Sequence, residues 1–159
     1  MIEITGNLFE FKGDAICITT NGVRNSKKEL VMGAGVALEA KRRHSWLPKS
    51  LGELVTDKEH NQCYQIPVTG TSYNYVVSFP TKHDWKDNSD LALIEQSAKK
   101  LRDMADAKFG GEPWKRIGLP IVGCGLGRRD WEKEVKPILS KYLDNRFFII
   151  FPIKNKLNK

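Results

Sequence analysis

Ile117-Gly-Leu-Pro-Ile-Val-Gly-Cys-Gly-Leu-Gly127-Arg-Arg-Asp-Trp131 is the stretch on which the reading of this chain turns. An apolar run of strand type, Ile117, Leu119, Ile121 and Val122, opens into three glycines at alternate positions, Gly123, Gly125 and Gly127, and Asp130 stands where a helix is capped. Glycines let a backbone take left-handed conformations and approach a ligand closely, so that successive N–H groups converge on an anion. A tight strand-to-helix turn with no ligand uses the same residues. A second loop, Met32-Gly-Ala-Gly35, followed by the helix-like Val36-Ala-Leu-Glu-Ala-Lys-Arg-Arg43, adds weight to the anion reading. Two such loops suit a ligand with two linked phosphates, or a phosphate and a sugar.

The 159 residues fit one domain, 1–153, followed by a basic tail, 154–159. No apolar run reaches the roughly 20 residues of a membrane span, and the N-terminus lacks a signal pattern. These features predict a cytoplasmic protein with no membrane partner. Cys17, Cys63 and Cys124 show neither CxxC nor Cys/His spacing, which predicts reduced thiols and no metal site. The 26 Lys+Arg against 19 Asp+Glu give a net charge of +7 and make a polyanionic partner such as nucleic acid plausible, against the alternative of a merely well-solvated surface.

Working outward, Ile2 and Ile4 alternate with polar residues as a short first strand ending at Gly6-Asn7, and Ala15–Thr19 reads as a buried strand closed by Asn21-Gly22. Val23 to Glu29 reads as a mobile flap. A helix runs from Val36 to about His44 and is stopped by Pro48; Ser50 is positioned to cap a second one through Val55. Cys63–Val68 and Asn74–Phe79 read as two strands. Leu91, Ile94, Ala98, Leu101 and Ala105 lie on one face of a helix that starts near Ser89 and ends at Gly110-Gly111. Trp131, Val135, Ile138 and Tyr142 stripe a last helix whose first turn Pro137 separates or kinks, and Phe147–Phe151 is a final strand. Alternating strands and helices imply an α/β sandwich with a largely parallel sheet, whose ligands sit at the carboxyl ends of strands. Asn7, Asn21, the Met32 loop, Lys82 and the Gly123 loop would then share one crevice.

Gly6-Asn-Leu-Phe9, Asp14-Ala-Ile-Cys-Ile-Thr-Thr-Asn21, Met32-Gly-Ala-Gly-Val-Ala37 and Gly123-Cys-Gly-Leu-Gly127 resemble, in order and spacing, the motifs of the macrodomains, the ADP-ribose-binding fold. Phe79-Pro-Thr-Lys82 with Gly125-Leu-Gly127 and Trp131 most resembles the branch that contains DarG, which removes ADP-ribose from DNA, and the terminal ADP-ribose protein glycohydrolase. The resemblance implies a three-layer α/β/α sandwich around a mixed, largely parallel sheet of about six strands. It implies that Asn7 and Leu8 flank the adenine, that Asn21 and Gly33, Ala34 and Gly35 hold the distal ribose, and that backbone N–H groups from Gly123, Cys124, Gly125 and Leu126 cradle the diphosphate. Met32, Val36, Thr81 and Gly127 complete the expected ligand-binding set. Lys82 falls at the position of the branch's catalytic lysine.

An amine attacking the anomeric carbon, or its ring-opened aldehyde, splits glycosidic cleavage into two easier steps through a Schiff-base-like intermediate. The competing reading is a static surface or phosphate-binding lysine. The protein-glycohydrolase relative has an Asp directly after Gly-Cys-Gly-Leu; here Gly127 stands there, as in the DarG pattern, which argues against Asp-assisted action on acidic side chains. Asp84 and Asp130 read as turn or helix caps, and Cys124 as a small loop residue rather than a nucleophile. Trp85 offers a face to a base or packs in the core; with Lys86, Arg128 and Arg129 it is a candidate for nucleic-acid contact. Trp114 and Trp131 read as packing residues.

Three functions remain open on sequence grounds: a glycohydrolase that releases ADP-ribose from a DNA base through Lys82, a non-catalytic ADP-ribose reader, and a hydrolase of a small ADP-ribose metabolite or of ADP-ribosylated protein. The expected partners are ADP-ribose or an ADP-ribosylated substrate and single-stranded DNA, bound by a monomer that needs no cofactor. No GK[ST] follows the glycines and no full GxGxxG is present, which argues against a P-loop NTPase and a dinucleotide-binding dehydrogenase.

Overall fold

The computed structural model describes residues 1–108 and 111–154. Gly110, read above as part of a helix terminator, and 155–159 of the basic tail lie outside the described residues. The described chain forms strands β1 (Ile2–Thr5), β2 (Gly13–Thr20), β3 (Gln65–Pro67), β4 (Tyr73–Pro80), β5 (Ile117–Leu119) and β6 (Phe147–Phe151). Its helices are α1 (Gly35–Arg43), α2 (Leu47–Leu54), α3 (Leu91–Asp106) and α4 (Lys136–Leu139). The strands make one sheet in the order β1-β6-β5-β2-β4-β3. Only β3 runs antiparallel to its neighbour.

Strand periodicity divides the core in two. Ala15 and Cys17 of β2 and Val77 and Phe79 of β4 face one side, where they join Ile94, Ala98, Leu101 and Ala105 of α3 and Leu139 of α4. Ile16, Ile18 and Val76 face the other, against Ala37 and Ala40 of α1 and Leu47 and Leu51 of α2. Each fully buried Leu or Ile contributes about 1.5–3 kcal/mol, so these two stripes account for the sandwich without help from disulfides. Cys17, Cys63 and Cys124 are free, and burial pushes the Cys17 thiol well up and that of Cys63 to about 12.

Several local expectations are corrected. Pro48 does not separate two helices from outside: it sits in the first turn of α2, where its missing N–H has no helical partner to lose, and Ser50 lies inside the helix instead of capping it. The helix expected to start near Ser89 is α3, capped by Asp90, which accepts from the N–H groups of Ala92 and Leu93. That helix ends at Asp106. Val23 to Glu29 is pinned rather than loose: Arg24 donates to the carbonyls of Gly52 and Thr56, and Asn25 Oδ1 accepts from Lys27 and Glu29. The break at Pro137 is real, since Trp131–Val135 forms a separate π-type turn capped by Asp130 before α4 begins.

Candidate functional site

Because β1, β2, β4, β5 and β6 are parallel, their carboxyl ends lie along one edge of the sheet, and the segments that follow them meet there. Asn7 follows β1, Asn21 follows β2, Lys82 follows β4, and the glycine loop follows β5. Topology therefore brings the segments that carry Asn7, Asn21, Lys82 and the glycine loop to one edge of the sheet.

Within the glycine loop, Cys124 N–H donates to Ile121 O, Gly127 to Cys124 O, Arg128 to Gly125 O and Arg129 to Gly123 O. The N–H groups of Gly123, Gly125 and Leu126 donate to no acceptor among the described residues. The Cys124 N–H is thus used within the loop's own turn. Gly125 has φ +59°, and a Cβ placed on it would meet no atom within 4 Å, so the space beside it is open. Gly127, by contrast, is packed against the Ser89 hydroxyl with no room for a side chain.

The second loop faces the first. A Cβ on Gly35 would lie 3.8 Å from Leu126 Cδ1, and the Leu126 side chain is 66% exposed. Ala34 at the N-cap of α1 provides no side-chain cap, which leaves the first amides of that helix available to an anion. The start of α1 and the glycine loop thus approach each other at Gly35 and Leu126.

Lys82 reaches into the same place. Its Nζ donates to Leu126 O at 3.2 Å and to Trp85 O at 3.4 Å. Asn21 is buried, donates from Nδ2 to Val31 O and accepts from Val23 N–H at Oδ1, so it also holds the strap between the two loops. The Asn7 side chain caps the short turn Leu8–Glu10 by accepting from Phe9 N–H. Leu8, Met32 and Thr81 are buried, Leu8 and Met32 within the core on the α1 side, so what they offer a ligand is backbone or an edge of a side chain. Val36 packs against that same core.

Of the candidates for nucleic-acid contact, Trp85 is 53% exposed, which removes the core alternative, and Lys86 Nζ lies 5.7 Å from the centre of its ring. Arg128 is exposed at φ +62°. Arg129 is different: its Nε donates to Ser89 O at 2.7 Å and its Nη1 pairs with Glu134 at 3.2 Å. These contacts make it part of the frame that holds the loop. Asp84 accepts from Lys86 N–H and Asp130 from Lys133 N–H, as caps do. Burial, with the carboxylates of Asp130 and Glu134, pushes the Cys124 thiol up to about 11, so it is not a ready thiolate. Trp131 packs edge-on against Phe151 and donates to Glu3, and Trp114 packs on Tyr75.

One residue of the site carries no sequence signal. Asn61, in a polar loop before β3, donates from Nδ2 to Lys82 O. No motif surrounds it. Among the described residues, no group of three or more His, Cys, Asp or Glu is placed to hold a metal ion, and no helix is long and apolar enough to cross a membrane.

The described chain takes the fold of solved macrodomains. The macrodomain of Mycobacterium tuberculosis DarG superposes with a TM-score of 0.77 at 23% identity, covering 96% of this chain and 97% of that one. Thermosipho africanus DarTG in complex with ADP-ribose gives 0.78 at 23% identity over 97% of this chain and 42% of that one. In sequence, the chain is 30% identical over 147 residues to a Thermus aquaticus protein named DNA ADP-ribosyl glycohydrolase, covering 89% of this chain and 37% of the relative. It is 29% identical over 120 residues to a Thermosipho africanus DNA ADP-ribosyl transferase-DNA ADP-ribosyl glycohydrolase fusion protein, covering 74% of this chain. The match spans 26% and 37% of the lengths of these two curated relatives. No protein-family model matches the chain.

Proposed function

We propose that this chain binds ADP-ribose in the crevice between its two donor loops and releases it from a DNA base, with Lys82 as the catalytic residue. The observation that carries the reading is the placement of Lys82 Nζ, 3.2 Å from the carbonyl of Leu126, whose own N–H is one of the free donors of the glycine loop. An amine there stands beside any diphosphate held by that loop, and so near the sugar attached to it. The Leu126 and Trp85 carbonyls orient this amine, whose lone pair, once its proton is lost, attacks the anomeric carbon or the opened aldehyde. The relatives named as DNA ADP-ribosyl glycohydrolases support DNA as the substrate class. Gly127 supports it too, because no carboxylate stands after Gly-Cys-Gly-Leu to assist at a protein ester.

In this reading Asn7 and Leu8 flank the adenine, Asn21 and Gly33–Gly35 hold the distal ribose, and Met32, Val36 and Thr81 shape the walls. Trp85, Lys86 and Arg128 guide a single strand. The protein acts as a monomer in the cytoplasm, where its free thiols stay reduced.

The same two carbonyl contacts favour one other reading. An ammonium donating to Trp85 O and Leu126 O ties two loops together, the task of a lysine in a non-catalytic ADP-ribose reader. Release of ADP-ribose from ADP-ribosylated DNA and protein, measured side by side for wild type and Lys82→Ala, separates the two. Turnover on DNA that disappears in the variant is expected; binding without release by wild type overturns the glycohydrolase reading.

A further inference from the structure

We infer that Asn61 is a positioning residue for Lys82, an inference that rests on the catalytic reading of that lysine. Lys82 lies beyond the last paired residue of β4, since the β2–β4 register ends at Thr20 and Pro80, so no ladder fixes its backbone. What fixes it is a set of individual bonds. Thr81 N–H donates to Thr20 O, Asp90 N–H to Thr81 O, and Gly22 N–H to His83 O. The carbonyl of Lys82 itself is held by a side chain: Asn61 Nδ2 donates to it at 3.0 Å and lies 3.1 Å from His83 Nδ1.

The orientation of this amide is decided by chemistry. Lys82 O only accepts, so the group facing it must be the NH₂, and its second N–H is then aimed at His83 Nδ1. A ring that accepts this bond at Nδ1 carries its proton on Nε2. The same arrangement leaves Asn61 Oδ1 buried with no partner among the described residues, in a residue only 3% exposed. An unpaired buried acceptor is a cost to the fold. Flipping the amide does not relieve the cost, because it sets oxygen against oxygen at Lys82. The Asn61 bond sets the backbone from which the Lys82 side chain extends, and misplacing a reacting group by about 1 Å is enough to lose roughly 10²-fold in rate.

The test uses two independent ways of removing the clamp. Asn61→Ala and Asn61→Leu delete the donors. Gly22→Ala displaces them from behind, because its Cβ would lie 3.0 Å from both Asn61 Nδ2 and His83 O. Single-turnover release of ADP-ribose from an ADP-ribosylated single-stranded oligonucleotide is measured together with calorimetric affinity for free ADP-ribose and the ¹⁵N spectrum of His83. Expected are a rate loss of roughly 10²-fold, ADP-ribose affinity within about 2-fold of wild type, and a His83 ring no longer confined to one tautomer. Variants that release at the wild-type rate overturn the positioning role, as does a parallel loss of rate and ADP-ribose affinity, which marks general support of the fold. Should the Asn61 variants not fold, a Gly22→Ala protein with a changed His83 tautomer and undiminished rate has the same force. A wild type that binds ADP-ribose but releases none overturns the glycohydrolase reading and this inference together, an outcome distinct from active variants.

Discussion

Lys82 Nζ donates to the carbonyl oxygen of Leu126 at 3.2 Å, so a side chain from the end of β4 meets the loop after β5 across 44 residues of sequence. That bond joins the two motifs whose pairing suggested a DarG-like branch. Replacement of Lys82 should therefore discriminate between an amine and a mere positive charge. Lys82→Ala and Lys82→Arg are both expected to lower turnover by at least about 10²-fold, because a guanidinium keeps the charge but is no nucleophile at neutral pH. Borohydride added during turnover should attach ADP-ribose to Lys82. An active Lys82→Arg enzyme would reduce this residue to a binding role.

The glycines of one loop should respond in opposite ways. Gly125→Val places a side chain in open space at φ +59°, at a conformational cost of about 1–2 kcal/mol, so the fold should survive while ADP-ribose binding is lost to a clash with the ligand. Gly123→Ala instead brings a Cβ to 2.6 Å from Ile94 Cδ1 in the core and should destabilise the protein by about 1–3 kcal/mol. Calorimetry and denaturant melts on both variants provide the check. Normal ADP-ribose binding by folded Gly125→Val would remove the diphosphate from this loop.

Much of this architecture is written in periodicity. Ile94, Ala98, Leu101 and Ala105 are fully buried on the predicted face of α3, and Phe147–Phe151 is β6 to the residue. Local chemistry that depends on partners distant in sequence is not legible that way. Arg129 looks like its neighbour Arg128 until Ser89 and Glu134 are brought beside it, and Asn61 is one polar loop residue among several until Lys82 O and His83 approach it. Pro48 and Ser50 misled because proline's effect depends on whether it lies before a helix or in its first turn.

His44 ties α1 to the strand side of the core and makes stability depend on pH. It is buried, its Nε2 lies 3.1 Å from the Tyr73 hydroxyl, and desolvation, with Arg43 nearby, lowers its pKa from the ordinary 6.5. A histidine whose folded pKa is depressed binds its proton more readily when unfolded. Its penalty is absent above the unfolded value, and stability falls as pH drops below 6.5 through the folded pKa. Melting temperature followed from pH 8 to 5 should decline over this window and decline less in His44→Gln. An equal decline in the variant would assign the effect to other groups.

Cys124 should be dispensable for chemistry despite its place in the loop. Its thiol, pushed up to about 11, stays protonated at neutral pH, and its N–H is spent on Ile121 O. Cys124→Ala is expected to keep turnover within about 3-fold of wild type and to resist alkylation no differently at pH 7, since the other two thiols are buried. A variant without activity would reopen the nucleophile reading.

The nucleic-acid rim makes the last prediction, and the structure narrows the residues that enter it. If backbone amides hold the diphosphate, the net charge of +7 is free to meet a second polyanion. Trp85, with Lys86 beside its ring, and Arg128 are exposed next to the Lys82 segment and the glycine loop, whereas Arg129 is engaged by Ser89 O and Glu134. Binding of ADP-ribosylated single-stranded DNA should accordingly weaken steeply with salt, and binding of free ADP-ribose should weaken much less, because each neutralised phosphate of a single strand contributes about 0.7 to the logarithmic slope. Lys86→Ser and Arg128→Ser should each flatten the DNA slope by roughly that amount and leave ADP-ribose affinity nearly intact. Trp85→Ala should cost about 1–3 kcal/mol of DNA affinity at every salt concentration, since stacking on an aromatic face carries no counterions. Arg129→Ser should act otherwise, lowering the melting temperature through the lost contacts to Ser89 and Glu134 while the salt slope stays near that of wild type. Equal slopes for DNA and for the free ligand would show that these cations only solvate the surface, and the substrate would then have to be sought among ADP-ribosylated proteins or small ADP-ribose metabolites.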